Sequence, residues 1–260
     1  MGKVMRYVER CMELDSKSDG RGDVSGRLPA AILFDLDDTI LDDSGAMESC
    51  WREACAMGAA KLGSVQGGEL WAAIEKQRNW YWSDPRRHRE GRMDLRAASR
   101  RIVQTALSEL GVGSAELGEE IADRYRDLRE ERLCLVPGAL ETLEELRARG
   151  VRLGLMTNGS AGGQRAKIER FGLARWFDHI VIEGEFGAGK PDTRVYEAVL
   201  AGVSANPAET WSVGDNLEWD VGAPQRLGVY GIWVDVAGDG LPAGTNVSPD
   251  RIVGSIREII

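Results

Sequence analysis

The sequence contains few of the residues on which many hydrolases and metal sites depend. Its only two histidines, His88 and His179, lie far apart along the 260 residues. The four cysteines stand at positions 11, 50, 55 and 134, without a Cys-X-X-Cys pair or a histidine cluster. Nucleophilic catalysis by a Ser-His or Cys-His pair, zinc binding and a disulfide framework are therefore poorly supported. We expect free thiols in a reducing compartment.

Long apolar segments are also missing. No run of about 18 apolar residues, the length that a membrane helix requires, occurs in the sequence, and the first ten residues lack the apolar stretch of a secretory signal. The net charge is -9, from 33 basic and 42 acidic residues, and this excess repels phosphate backbones. We therefore expect a soluble, cytoplasmic protein with no membrane and no nucleic acid as partner, and the oligomeric state stays open.

The order of strand and helix patterns predicts an α/β fold with a helical insertion. Residues 31–34 are a short apolar run typical of a buried parallel strand, whereas the next 90 residues or so, about 44 to 133, show only helical spacing. Strand and helix patterns then alternate, which is typical of a parallel sheet covered by helices on both faces. We predict a Rossmann-like three-layer core (29–43 and 134–260), a four-helix cap (44–133) and a flexible N-terminal extension (1–28).

Acidic and polar side chains follow four of the predicted strands at the point where each strand ends. They are Asp35 and Asp37 after the first strand, Thr157 and Asn158 after the second, Lys190 after the third, and Asp215, Asn216 and Asp220 after the fourth. Ligands of open parallel sheets bind at this edge. Crowded carboxylates require a cation, and oxygen ligands without imidazole or thiolate favour Mg²⁺. The sequence therefore predicts a magnesium site beside groups suited to phosphate oxygens.

These segments resemble, in order, the four motifs of the haloacid dehalogenase-like hydrolases. The matching residues are Asp35-Leu36-Asp37-Asp38-Thr39, Thr157-Asn158-Gly159, Lys190-Pro191, and Gly214-Asp215-Asn216 with Asp220. The resemblance covers residues 31 to about 235, and the helical insertion stands where that family has its four-helix cap. It implies a magnesium-dependent enzyme on a Rossmann-like core.

The resemblance also implies the catalytic roles. Asp35 is expected to attack phosphorus and become an aspartyl-phosphate. Asp37 is expected to protonate the leaving alcohol and then to remove a proton from the hydrolytic water. Binding of the phosphoryl oxygens is expected from Thr157, Asn158 and Lys190, and Lys190 also shields Asp35 from the incoming anion.

A metal site follows from the same resemblance. Asp215 is expected to bind Mg²⁺ together with the carboxylate of Asp35 and the backbone carbonyl of Asp37. Asn216 and Asp220 are expected to orient those ligands, directly or through water.

Asp37 also narrows the chemistry within the family. A halide leaves without a proton, so an acid two residues after the nucleophile favours a phosphate ester as substrate over a haloacid. We predict a phosphomonoester hydrolase that acts on a small phosphorylated metabolite. A phosphomutase with the same four motifs is the alternative, and a catalytically silent binding domain is a third interpretation. The silent domain is disfavoured because the carboxylates of Asp35, Asp37 and Asp215 and the Lys190 amine are all present.

Overall fold

The computed structural model describes residues 28–260, so residues 1–27 of the predicted N-terminal extension lie outside the described part. The described chain divides into two compact units. Residues 28–42 and Leu135–Ile260 form one, which we call the core unit, and Asp43–Cys134 form the other, which we call the helical unit.

Eight strands occur among the described residues. They are β1 (Ala31–Phe34), β2 (Leu41–Asp42), β3 (Cys134–Leu135), β4 (Arg152–Thr157), β5 (His179–Ile182), β6 (Thr210–Gly214), β7 (Tyr230–Val234) and β8 (Arg251–Val253). Six of them form one parallel sheet in the order β5-β4-β1-β6-β7-β8, and β2 and β3 form a separate two-stranded sheet. The predicted α/β fold class is confirmed.

Strand β1 lies in the middle of the sheet and fixes the position of the residues that follow it. All four of its side chains are fully buried, as expected of a parallel strand that is covered on both faces. Phe34, its last residue, is aligned with Leu155 of β4 and Val213 of β6. The chain therefore leaves these three neighbouring strands at the same edge of the sheet.

The α-helices of the described chain come in two groups. The helical unit contains α1 (Met47–Leu62), α2 (Gly67–Ser83), α3 (Pro85–Met93), α4 (Leu95–Leu110) and α5 (Ala115–Arg132). The core unit contains α6 (Ala139–Ala148), α7 (Ala161–Arg170), α8 (Glu183–Phe186), α9 (Thr193–Gly202) and α10 (Ala223–Gln225). Among residues 28–260, no helix has both the length and the apolar character that crossing a membrane requires.

The helical unit has its own apolar core around three aromatic rings. Trp51 of α1 is stacked on Tyr125 of α5 with 3.6 Å between ring centroids, and its centroid lies 6.4 Å from that of Trp71 of α2. All three residues are buried. Because each of the three rings comes from a different helix, the cluster joins α1, α2 and α5 into one packed body.

The prediction of four helices in this segment was wrong, because the structure has five. The additional helix, α3, begins where the Asp84 side chain accepts a hydrogen bond from the backbone N–H of Arg87 at 2.8 Å, with Pro85 in the first turn. Asp94 caps the next helix, α4, in the same way through the N–H of Ala97. Asp followed by Pro is a recognised signal for the start of a helix. The charged sequence of α3, however, lacks the apolar periodicity from which helices were predicted.

Candidate active site

The turn after β1 presents Asp35 and Asp37 at the edge of the sheet. The backbone N–H of Asp35 donates to the carbonyl of Val213 on β6 at 3.0 Å, which ties the turn to the neighbouring strand. Asp38 then adopts a left-handed backbone conformation with φ 59°, and such a residue reverses the chain direction tightly. Asp35 is buried, whereas Asp37 is partly exposed. The local fold thus separates two nearby carboxylates into different environments.

Lys190 lies between two of the predicted acidic residues. Its Nζ is 2.6 Å from Asp35 Oδ1 and 2.6 Å from Asp220 Oδ1, and its side chain is 2% exposed. Asn158 fixes the lysine backbone, since its Oδ1 accepts from the Lys190 N–H at 2.7 Å and its Nδ2 donates to the Lys190 carbonyl at 2.8 Å. Asn158 therefore links the end of β4 to the segment that follows β5. Its predicted contact with phosphate stays a prediction.

Asp220 is delivered by an unusual helical turn. A π-helix, Leu217–Gly222, follows β6 and leads into α10. Asp220 Oδ2 accepts from the backbone N–H of Asn216 at 3.0 Å, and Ser212 donates its hydroxyl to the Asp220 carbonyl at 2.6 Å. A wide helical turn is often found at functional sites, and here it directs a fully buried carboxylate at Lys190.

The carboxylates of Asp35, Asp215 and Asp220 form a tight cluster. One oxygen from each lies within 4.8 Å of the others. Burial, followed by the negative charges of Asp35 and Asp220, raises the pKa of Asp215 to about 9. Burial raises the pKa of Asp35 to about 6, although the Lys190 ammonium opposes this shift. One lysine thus does not fully compensate three carboxylates, and the all-oxygen donor set fits Mg²⁺.

The pKa of Lys190 is raised as well, but for a lysine a raised pKa favours the charged form. Burial alone lowers the pKa of an ammonium group, but the adjacent Asp220 and Asp35 carboxylates outweigh burial and hold the pKa of Lys190 above its ordinary value. Lys190 is therefore a permanent positive charge at this edge of the sheet. Such a charge is suited to neutralising an anion that approaches Asp35.

Two residues that contact the predicted acid, Asp37, were not identified from the sequence. Gln164 Nε2 donates to Asp37 Oδ2 at 2.9 Å and to the Thr157 hydroxyl oxygen at 2.5 Å. Lys167 Nζ donates to Asp37 Oδ1 at 2.7 Å. The only signal in the sequence is their spacing of three residues on the helix after Thr157, which places them on one helical face.

The structure therefore brings the predicted site residues to the same edge of the sheet in two connected groups. One group surrounds Lys190 and consists of Asp35, Asn158, Asp215, Asn216 and Asp220. The other surrounds Gln164 and consists of Asp37 and Thr157. Asp35 and Asp37, which lie two residues apart on the turn after β1, connect the two groups.

Comparison with known proteins agrees with this arrangement. The family model described as haloacid dehalogenase-like hydrolase matches residues 29–228. The chain belongs to the haloacid dehalogenase-like hydrolases. The match contains all four segments that carry the acidic and polar site residues.

Curated relatives of this haloacid dehalogenase-like hydrolase are phosphatases. A phosphoserine phosphatase from Thermus thermophilus is 34% identical, over 88% of this chain and 96% of that protein. A ribulose-1,5-bisphosphate 5-phosphatase from Halopiger xanaduensis is 31% identical, over 80% of this chain and 85% of that protein. Together with the family match, these relatives identify the chain as a phosphatase.

A solved structure shares the fold. The haloacid dehalogenase-like hydrolase YfnB from Bacillus subtilis, which was crystallised with bound magnesium, superposes with a TM-score of 0.66 and is 22% identical. The alignment covers 90% of this chain and 97% of that one. At this level of identity, the comparison concerns the fold.

Proposed function

We propose that this phosphatase hydrolyses phosphomonoesters of small metabolites, with Mg²⁺ as cofactor and an aspartyl-phosphate on Asp35 as intermediate. The observation that carries the proposal is the Lys190 ammonium, held 2.6 Å from the carboxylates of both Asp35 and Asp220 beside a third carboxylate. A nucleophilic carboxylate needs nearby positive charge to accept an anionic phosphoryl group. Lys190 supplies one such charge, and the three carboxylates beside it are suited to a divalent cation that would supply more.

The carboxylates of Asp35 and Asp215 and the backbone carbonyl of Asp37 would hold the Mg²⁺ ion. When bound, the ion neutralises the negative charge of the transferring phosphoryl group and of the carboxylates around it. Asp220 binds Lys190 through one oxygen and the N–H of Asn216 through the other. We therefore assign Asp220 and Asn216 to orienting the site rather than to direct coordination.

In the first step, a carboxylate oxygen of Asp35 attacks phosphorus while the bond from phosphorus to the alcohol oxygen breaks. Asp37, as the neutral acid, transfers its proton to that leaving oxygen. Lys190 and the hydroxyl of Thr157 bind the equatorial oxygens as negative charge develops on them. In the second step, water attacks phosphorus, Asp37 accepts a proton from it, and Asp35 is released with inorganic phosphate.

The substrate class is inferred from the relatives. The proteins reported above are phosphatases of phosphoserine and of ribulose bisphosphate, and other curated relatives act on glyceraldehyde 3-phosphate. All three substrates are small phosphorylated alcohols. We infer that this chain also acts on the phosphate ester of a small metabolite, for which Asp37 supplies the proton that an alkoxide leaving group needs.

Phosphate release from a panel of phosphorylated metabolites, with and without Mg²⁺, tests this proposal. We expect metal-dependent release by the parent and a loss of at least about 10³-fold in Asp35→Asn. Asp239→Asn, at an exposed carboxylate on the loop after β7, is the matched control and should be unaffected. Equal release by Asp35→Asn would disprove the assigned nucleophile, and isomerised product without free phosphate would identify a phosphomutase.

A further inference from the structure

The carboxylate of Asp37 is held at both of its oxygens by one helix. Lys167 Nζ donates to Oδ1 at 2.7 Å, and Gln164 Nε2 donates to Oδ2 at 2.9 Å. The two donors come from α7, which follows β4 directly, and neither belongs to the segments that the resemblance identified. Two contacts on opposite oxygens restrict the rotation of a carboxylate as well as its position.

The burial of the two donors shows that this contact is specific. Gln164 is 4% exposed, and the Lys167 side chain is 14% exposed. A lysine on a surface helix ordinarily extends its ammonium group into water, as a partly buried charge is costly without a partner. Lys167 instead directs its charge towards Asp37, which offsets the desolvation of both groups.

A neighbour on the same helix provides the contrast. Arg165, two residues before Lys167, pairs with Glu185, and these side chains are 41% and 34% exposed. Helix α7 thus carries one ordinary surface ion pair and one largely buried pair. Exposed pairs contribute little to stability, so Arg165 serves as a matched comparison for Lys167.

The same helix also holds the Thr157 hydroxyl. Gln164 Nε2 donates to Thr157 Oγ1 at 2.5 Å, and the Ser160 side chain caps the start of α7 through the N–H of Gly163. Only two residues, Asn158 and Gly159, separate Thr157 from that cap. The strand end, the cap and the two donors therefore form one hydrogen-bonded segment that positions the Asp37 carboxylate relative to a proposed phosphate-binding hydroxyl.

We propose that Lys167 and Gln164 are positioning residues for proton transfer by Asp37. This inference rests on the proposed function, in which Asp37 protonates the leaving oxygen. Proton transfer requires the acid oxygen within hydrogen-bond reach of the leaving oxygen, and small misplacements of a reacting group are costly. Lys167 and Gln164 hold the carboxylate in one orientation and exchange no proton themselves.

The dependence of the rate on the leaving group tests the inference. An acid matters most when the leaving oxygen is basic, so phenyl phosphate needs it more than p-nitrophenyl phosphate, a substrate of nearly the same shape. We expect Lys167→Met to lower kcat/KM about tenfold more for phenyl phosphate than for p-nitrophenyl phosphate, since general acid catalysis contributes about 10²–10⁴-fold in total. Asp37→Asn should show the same discrimination to a larger extent, and Lys167→Arg should restore most of the loss.

Controls separate positioning from folding. Arg165→Met should leave both substrates unaffected, because it removes only an exposed ion pair from the same helix. Lys167→Gln, which keeps a hydrogen-bond donor, provides a second variant if Lys167→Met does not fold, and it should discriminate between the substrates more weakly than Asp37→Asn. Thermal unfolding of every variant establishes that the compared proteins are folded.

The possible outcomes are distinct. An equal loss for both substrates, or no loss, in Lys167→Met while Asp37→Asn discriminates would overturn the positioning role and leave the role of Asp37 intact. A lack of discrimination in Asp37→Asn itself would overturn the proposed acid and this inference with it.

Discussion

Lys190 Nζ lies 2.6 Å from Asp35 Oδ1, although 155 positions separate the two residues in the sequence. The parallel sheet produces this contact, because it brings the ends of distant strands to one edge. Both side chains are almost inaccessible to water. The pair therefore combines a structural role with its proposed role in catalysis, and each of these roles has a measurable consequence.

Lys190→Met should destabilise the fold and strongly lower activity. The substitution leaves the buried carboxylates of Asp35 and Asp220 without their cation, and breaking a buried pair costs about 3–5 kcal/mol. Denaturant unfolding measures this loss, and phosphate release should fall by at least about 10²-fold. Lys61→Met removes a pair with Glu120 in which both side chains are 52% exposed, so it should change stability by less than about 0.5 kcal/mol. Similar stabilities of the two variants would contradict the buried role of Lys190.

Binding of Mg²⁺ should release protons at neutral pH. The pKa of Asp215 is raised from 3.8 to about 9 in the metal-free protein, so this carboxyl is largely protonated at pH 7 and must ionise to bind a metal. Calorimetric titration in buffers of different ionisation enthalpy should detect about one proton per ion, and affinity should rise from pH 6 to pH 8. Asp215→Asn should lose the proton release, whereas Asp239→Asn should keep it. Affinity that is independent of pH would contradict the raised pKa.

The same shift has a consequence for stability without metal. A carboxyl whose folded-state pKa exceeds its unfolded value binds protons more tightly in the folded state, so metal-free stability should fall as the pH rises from about 4 towards 9. Thermal unfolding in the presence of a chelator measures this slope. Mg²⁺ should remove most of it, and Asp215→Asn should flatten it even without metal.

Trp51→Ala should destabilise the helical unit strongly. Trp51 is 1% exposed and stacks on Tyr125, so its removal leaves a cavity that costs about 3–5 kcal/mol. Trp80→Ala is the control, because Trp80 is 51% exposed and its ring centroid lies 3.8 Å from the Arg87 guanidinium carbon. Loss of that contact costs about 1 kcal/mol or less. Comparable losses in the two variants would show that the aromatic stack is not central to this unit.

Gly214→Ala should lower activity through Asp220. A Cβ atom at position 214 would overlap the Asp220 carboxyl group, so the side chain that holds Lys190 must move, and such a displacement can cost about 10²-fold in rate. Gly162→Ala, in helix α7, is the control. A Cβ there meets no atom within 4 Å, so this variant should keep its activity and gain up to about 1 kcal/mol of stability. Full activity of Gly214→Ala, measured as phosphate release, would show that Asp220 tolerates displacement.

Much of the site could be predicted because it follows from local patterns. Short apolar runs identify buried parallel strands, and the residue after each run must lie at the carboxyl edge of the sheet. This is how Asp35, Thr157 and Asp215 were placed together from sequence alone. Helix α3 was missed for the opposite reason, because its charged residues have no apolar period and only the Asp84 cap marks its start.

Sequence was therefore sufficient to determine the α/β class and the residues that follow each strand, since both depend on local order and spacing. The family followed from the resemblance of four short motifs to those of the haloacid dehalogenase-like hydrolases. The partners of individual side chains were decided only by the tertiary structure. In the sequence, Gln164 and Lys167 look like ordinary polar residues of a surface helix. Asp220 looks like a residue in the first turn of a regular α-helix. Packing of α7 against the turn after β1, and the π-helix before α10, bring these side chains into contact with Asp37 and Lys190. No local pattern encodes such contacts, because they depend on how separate elements pack.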